Sequence, residues 1–177
     1  YVVDIQNGTL IKKLDTGAGT PPSGVTWDNG LSTPVLVDAN GDRIVEAAYA
    51  GDLHGNMWKF DLSAADPASW NVAFSSTPLF RARDASGIVQ PITVRPEVVL
   101  GQGGEGLMVL FGTGKFLEGV DKDTSPVRPQ TFYGILDLSA TVASRTALVQ
   151  QQITSETTFD PDGTSGRVSG PAPDHAS

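Results

Sequence analysis

Short runs of alternating apolar and polar residues follow one another along the chain, separated by Gly, Pro, Asn and Asp. In Asn56–Leu62, Trp58, Phe60 and Leu62 alternate with Met57, Lys59 and Asp61, so a strand here has one strongly apolar face. Tyr1–Leu14 reads as a hairpin: YVVDI leads into Asn7-Gly8, a strong short-range turn signal, and TLIKKL returns. Asp15–Gly30 is loop, with Trp27 as an anchor. Leu31–Val37 is a strand with Pro34 near its start, where a missing donor is tolerated. Glu46–Ala50 is the next strand, Asp52–Gly55 a turn, and Trp70–Arg83 holds a further strand interrupted at Pro78.

The pattern then restarts. Ile92–Leu100 (ITVRPEVVL) resembles LSTPVLV, and Leu107–Gly114 (LMVLFGTG) resembles EAAYAGD. After an insertion at Phe116–Gln130, Thr131–Leu138 (TFYGILDL) resembles NMWKFDL. Ala147–Thr154 is expected to be a fourth strand. Thr141–Gln152 is the only stretch with helical potential, and its β-branched start and the repeat context favour strand. A unit of about four short strands that recurs after roughly 60 residues is the signature of a propeller blade. The expected fold is therefore all-β, a β-propeller fragment of about two to three four-stranded antiparallel blades. Residues 1–14 would end a preceding blade, 31–83 and 88–154 would form two blades, and 155–177 would be a flexible tail. A chain that opens inside a strand is expected to be a piece of something longer, with its targeting signal elsewhere. Trp58, Phe60, Phe111 and Phe132 fall on strands and are expected in the core between blades.

Composition narrows the chemistry. The 177 residues carry 20 acidic against 12 basic side chains, a formal net charge of −8, which argues against nucleic acid and anionic membranes as partners. The absence of cysteine excludes thiol catalysis, disulfides and cysteine-zinc sites. No apolar run reaches the roughly 18 residues of a membrane span.

The clearest chemical feature is Asp38-Ala39-Asn40-Gly41-Asp42-Arg43-Ile44-Val45-Glu46. Asp38, Asn40, Asp42 and Glu46 place side-chain oxygens at alternate positions, and Ile44 can add its carbonyl. A curled loop with that spacing can wrap one calcium ion, a hard cation that takes oxygen ligands. The loop departs from an EF-hand. Arg43 stands where that loop has Gly, Tyr49 stands where it has a bidentate Glu, and the flanks read as strands.

Other polar features read as ordinary structure. His54 falls in a turn and His175 in the tail, neither at a ligand or triad spacing, so both are expected to be solvent-exposed. Asp52 could brace the acidic loop, although starting a turn is its simpler role. Asp121/Asp123 and Asp160/Asp162 are pairs without a third carboxylate and read as solvated turns. Gly101–Gly106 (GQGGEG) lacks the Lys-Ser/Thr and the helix of a phosphate loop, and takes the place of the acidic loop in the second unit.

STPVLVDANGDRIVEAAYAGDLHGNMWKFDL, with the later VLFGTGKFL and TFYGILDL, resembles the C-terminal β-propeller of PilY-type tip proteins of bacterial type IV pili. The resemblance covers about Thr33–Leu138. It implies a modified seven-bladed propeller, exported to the cell surface and placed at or near the pilus tip. It implies roles in pilus biogenesis, adhesion and twitching motility, tuned by calcium, with minor pilins as partners and a host or surface ligand as a further one. The family's calcium loop carries over onto Asp38, Asn40, Asp42, the Ile44 carbonyl and Glu46, the last standing where Asp is commoner. The same loop resembles FG-GAP repeats of adhesion propellers. The YAGDLHG and Trp58 pattern also resembles quinoprotein dehydrogenase repeats, an enzyme class for which no catalytic carboxylate is assigned here.

Overall fold

The computed structural model describes residues 1–123 and 128–151, together with the backbone of 155–158 and 165–168. The chain divides into two compact units, Tyr1–Arg145 and Thr146–Ser177. The first unit opens with a hairpin of β1 (Val2–Val3) and β2 (Leu10–Lys12). At its tip Asp4 accepts the amide of Gln6, and Gly8 takes a φ of 73°, as the Asn-Gly signal requires.

The first blade is antiparallel throughout. β3 (Val35–Val37), β4 (Ala47–Gly51) and β5 (Asn56–Asp61) lie side by side, and the outer edge of β5 is covered twice. β6 (Asn71–Val72) pairs with its last residues and β7 (Phe80–Arg81) with its first. Alternation sorts the side chains: Ala48, Ala50, Trp58, Phe60 and Val72 form a buried cluster, with Leu14, Ala18 and Leu62 packed against it. β4 is buried on both faces, so its residues are small apart from Tyr49.

The second blade repeats this arrangement with β8 (Glu97–Leu100), β9 (Leu107–Gly112) and β10 (Phe132–Asp137). β3 and β8 each begin directly after a proline, Pro34 and Pro96. Ala50 faces Trp58 and Ala48 faces Phe60; in the repeat Phe111 faces Tyr133 and Val109 faces Ile135. The β8–β9 connection is Gly101–Gly106, where the first blade has its acidic loop, as the sequence repeat predicts. Phe80 of the first blade packs on the rings of Tyr133 and Phe111, at 5.0 and 6.5 Å between centroids.

Between β6 and β7 the chain makes a left-handed turn. Phe74, Ser75 and Ser76 take φ of 56°, 54° and 59°, a region that costs a non-glycine residue roughly 1–2 kcal/mol. The turn closes with the Thr77 amide on the Phe74 carbonyl and brings the Phe74 ring 5.7 Å from the Lys59 ammonium. Ser75 and Ser76 are exposed, so glycine there removes strain without removing packing. Ser75→Gly and Ser76→Gly are each expected to raise the unfolding free energy by about 0.5–1 kcal/mol. Urea titrations check this, and a loss of stability in both variants would contradict it.

Several expectations are corrected. Phe132 is 72% exposed, because it lies on the face of β10 turned away from the first blade, and Tyr133 takes the core position. Ala147 closes a short 3-10 turn (Arg145–Ala147) and 148–151 carry no strand, while 152–154 lie outside the described residues. The second blade therefore has three strands among the described residues. In the second unit, β11 (Ser155–Thr158) pairs antiparallel with β12 (Ser165–Val168), and the rest of 155–177 lies outside the described residues. His175, Asp160 and Asp162 lie outside the described residues.

Candidate metal centre

The acidic loop joins β3 to β4, with the Glu46 amide on the Val37 carbonyl (3.0 Å) closing its base. Its turns are made by its own side chains. Asp38 accepts the amides of Gly41 (2.6 Å) and Arg43 (2.8 Å), Asn40 accepts that of Asp42, and Asp42 accepts that of Ile44. Glu46 reaches back to the Ala39 amide at 2.7 Å. Gly41 and Arg43 take φ of 79° and 73°. The sixth position of such a loop needs a left-handed residue, and Arg43 supplies that conformation although it is not glycine.

The result brings the predicted residues together. Ligand atoms of Asp38, Asp42 and Glu46 all lie within 4.8 Å of one another. The Asn40 side chain donates to Asp42 at 3.1 Å, which places it in the same cluster. The Ile44 side chain points to solvent, 65% exposed, so any part it takes is through its backbone. Three carboxylates at this spacing repel one another, and their oxygens are of the kind that could hold a divalent cation.

Sequence reasoning missed what lies at the other end of β4. Asp52 is 1% exposed and accepts from the Asn56 amide and side chain, the Asn29 side chain and the Trp58 indole, at 2.8–3.2 Å. It does start the turn, with the Gly55 amide on its carbonyl, but it lies a full strand from the acidic loop and does not brace it. A Cβ on Gly55 would come within 2.7 Å of the Gln90 carbonyl and 2.8 Å of that of Ala82, so the turn is tightly enclosed. His54 is also buried, correcting the solvent-exposed reading: its Nε2 lies 3.1 Å from the Trp27 carbonyl, and Arg83 covers its own carbonyl. No spacing within YAGDLHGNMW marks Asp52 and His54 as buried, because the groups that enclose them, Asn29, Trp27 and Arg83, come from distant parts of the chain.

A second missed group joins the blades. Asp137, 3% exposed, accepts from the Tyr49 hydroxyl at 2.6 Å and pairs with Lys59 at 2.7 Å. Burial, and then the Asp137 carboxylate, push the Tyr49 phenol far above its ordinary range. No local spacing announces a contact between residues so distant in the chain.

Asp121 is not a simple solvated turn. Its carboxylate accepts the amides of Leu117 and Glu118 and pairs with Lys115 at 2.9 Å, and the Lys115 ammonium lies 5.3 Å from the Trp27 ring centre. The Glu118 amide, the Lys115 ammonium and the Leu117 amide hold Asp121 below its ordinary 3.8. Burial lowers Lys115, but the Asp121 and Glu118 carboxylates outweigh it and raise the group above 10.5. The Asp121 contribution is thus complete above 3.8 and lost as pH falls through its lower folded value. That of Lys115 is complete below 10.5 and lost as pH rises through its higher folded value. The Trp27 indole resonance is expected to stay constant between about pH 5 and pH 9. A titration of it centred near neutrality would contradict the pairing.

Two adjoining blades, one of them carrying a carboxylate loop between its first strands, define a β-propeller segment with a candidate cation loop. A family model described as the PilY1 beta-propeller domain matches residues 1–161, and the chain belongs to that family. It is 38% identical to the type IV pilus biogenesis factor PilY1 of Pseudomonas aeruginosa strain UCBPP-PA14, covering 88% of this chain and 15% of that protein. It is 37% identical to a PilY1 homolog of Xylella fastidiosa, covering 86% of this chain and 11% of that protein. The crystal structure of the P. aeruginosa PilY1 C-terminal domain superposes with a TM-score of 0.79 at 33% identity, covering 94% of this chain and 38% of that one. The chain thus spans a small part of the relatives it matches. The family shown is that of PilY1, and not that of the FG-GAP or quinoprotein dehydrogenase repeats. Among the described residues, no helix is long and apolar enough to cross a membrane.

Proposed function

We propose that this chain is a calcium-binding structural and adhesive segment of an exported type IV pilus tip protein, acting in pilus biogenesis, twitching motility and surface adhesion. Minor pilins are its natural partners, with a host or surface ligand as a further one. The observation that carries the calcium reading is the convergence of Asp38, Asp42 and Glu46 within 4.8 Å. The pilus reading rests on the family and on relatives named as pilus biogenesis factors.

Asp38, Asn40, Asp42 and Glu46 would hold the ion by side chain and Ile44 by its carbonyl. The ion supplies charge neutralisation, and the chain supplies the coupling. Glu46 closes the loop and also begins the blade: its amide bonds to Val37 and its carbonyl accepts from Leu62. Order in the loop is thereby passed to the ends of β3, β4 and β5, which fixes the rim that a partner would meet.

Calorimetry should give saturable one-site calcium binding, selective over magnesium. A dissociation constant of about 10⁻⁴–10⁻³ M is expected of an extracellular module. Asp42→Ala should abolish binding and leave the far-ultraviolet circular dichroism unchanged. Wild-type calcium affinity in a folded Asp42→Ala variant would sink the assignment.

A further inference from the structure

At the end of β4 remote from the acidic loop lies a cleft of about 560 Å³. One wall is Thr26, Trp27, Asp28 and Asn29, Leu53 adds the turn, and the other wall is Lys115, Glu118, Val120 and Asp121. The walls are held in place before any ligand arrives. The Trp27 indole donates to the Leu53 carbonyl at 3.1 Å, and Asn29 is fixed by donating to Ala18 and Asp52 and accepting from the His54 amide. Opposite, Glu118 and Asp121 cap their short 3-10 turn reciprocally. A preformed cleft of this size spends little on ordering when it binds.

Its chemistry is that of a cation receptor with an apolar rim. Asp28, Glu118 and Asp121 face the cleft against the single ammonium of Lys115. That ammonium is already matched, by Asp121 at 2.9 Å, Glu118 at 3.4 Å and the Trp27 ring. It also shows that carboxylates and an indole here can cage an alkylammonium head. Asp28 is exposed on the facing wall, leaving negative potential toward incoming solute. Val120 lines the cleft at 71% exposure, and Phe116 and Leu117 are 72% and 65% exposed on the same segment. Exposed apolar side chains grouped on one segment and rimmed by polar residues are the kind of surface that proteins use for contacts.

We propose that this cleft docks an extended segment of a partner protein bearing lysine or arginine next to apolar residues. Charge complementarity selects the occupant: the cleft carries an excess of carboxylates on a chain of net charge −8. The cation would sit between Asp28 and Glu118, with neighbouring apolar residues on Val120 and Leu53. The proposal is independent of the calcium reading.

The test is calorimetry of the full chain with a blocked hexapeptide alternating lysine and leucine, and with its glutamate-for-lysine twin. Saturable one-site binding of the lysine peptide alone is expected. Asp28→Lys should weaken it roughly tenfold, Val120→Ser should weaken it less, and Glu105→Lys should leave it unchanged. Glu105 is an exposed acid in the Gly101–Gly106 loop, at the opposite end of β9 from Lys115, so the last variant is a charge-matched control. Equal weakening by Asp28→Lys and Glu105→Lys would reduce the effect to general charge attraction and overturn the proposal. Failure of the lysine peptide to saturate would overturn it too, as would displacement of that peptide by a neutral oligosaccharide.

Discussion

Asp52→Ala is expected to lower the unfolding free energy of the chain by about 3–5 kcal/mol. The carboxylate is buried and collects its donors from three places: Asn29 in the loop before β3, Asn56 at the start of β5, and the Trp58 indole. Alanine would strand the Asn56 and Trp58 donors, which are buried, and each stranded donor costs about 1–3 kcal/mol. The charge is also part of a wider balance. Burial, and then Arg81, pull the Arg83 guanidinium below its usual value, while Asp52 acts in the opposite sense. Arg83 in turn donates to the His54 carbonyl, so loss of Asp52 loosens the whole turn. Asp52→Asn keeps the shape but turns one acceptor into a donor facing donors, and should recover less than half of the loss. Urea unfolding followed by tryptophan fluorescence measures this. A midpoint for Asp52→Ala equivalent to within about 1 kcal/mol of the parent would mean that the network is incidental.

Asp137→Ala should cost up to a similar amount by another route, loosening the contact between the two blades, which the packing of Phe80 on Tyr133 and Phe111 still holds. The Lys59 ammonium and the Tyr49 hydroxyl both end on this one carboxylate, from the other blade. Removing it leaves the half-buried Lys59 ammonium unpaired; breaking a fully buried pair costs about 3–5 kcal/mol, and that range is the upper bound here. The Phe74 ring and the Tyr49 ring, 5.7 and 5.9 Å from Lys59, would retain part of the interaction. Replacing both charges, Lys59→Met with Asp137→Leu, should restore most of the stability, because the desolvation cost disappears with the pair. Additive losses in the double variant would contradict the assignment of Asp137 as a charged link between the blades.

The candidate metal loop was legible because all its groups lie within nine residues. Alternate oxygen-bearing side chains in a short acidic segment can curl together without help from the rest of the chain, and Asp38, Asp42 and Glu46 do. The Asn7-Gly8 hairpin and the alternation of Trp58 and Phe60 with polar residues were legible for the same reason: turn preference and side-chain period are local properties. The blade repeat was readable too, since two segments with one pattern bury the same alternate positions.

What failed in the sequence reading were questions of context. Phe132 has the apolar character of a core residue, but it stands on the face of β10 turned away from the first blade. His54 looks like a turn residue and is buried, because Trp27 and Arg83 close over it from distant parts of the chain. Asp121 looked solvated, yet it organises an insertion through Lys115 and two amides. The sequence by itself determined the strand pattern, the repeat and the acidic loop, each set by neighbours along the chain. Only the tertiary structure decided which charges are buried and paired, Asp52 with its neutral donors and Asp137 with Lys59 and Tyr49. Burial and pairing depend on which strands and blades come to lie together, and nothing in the spacing of a single segment encodes that.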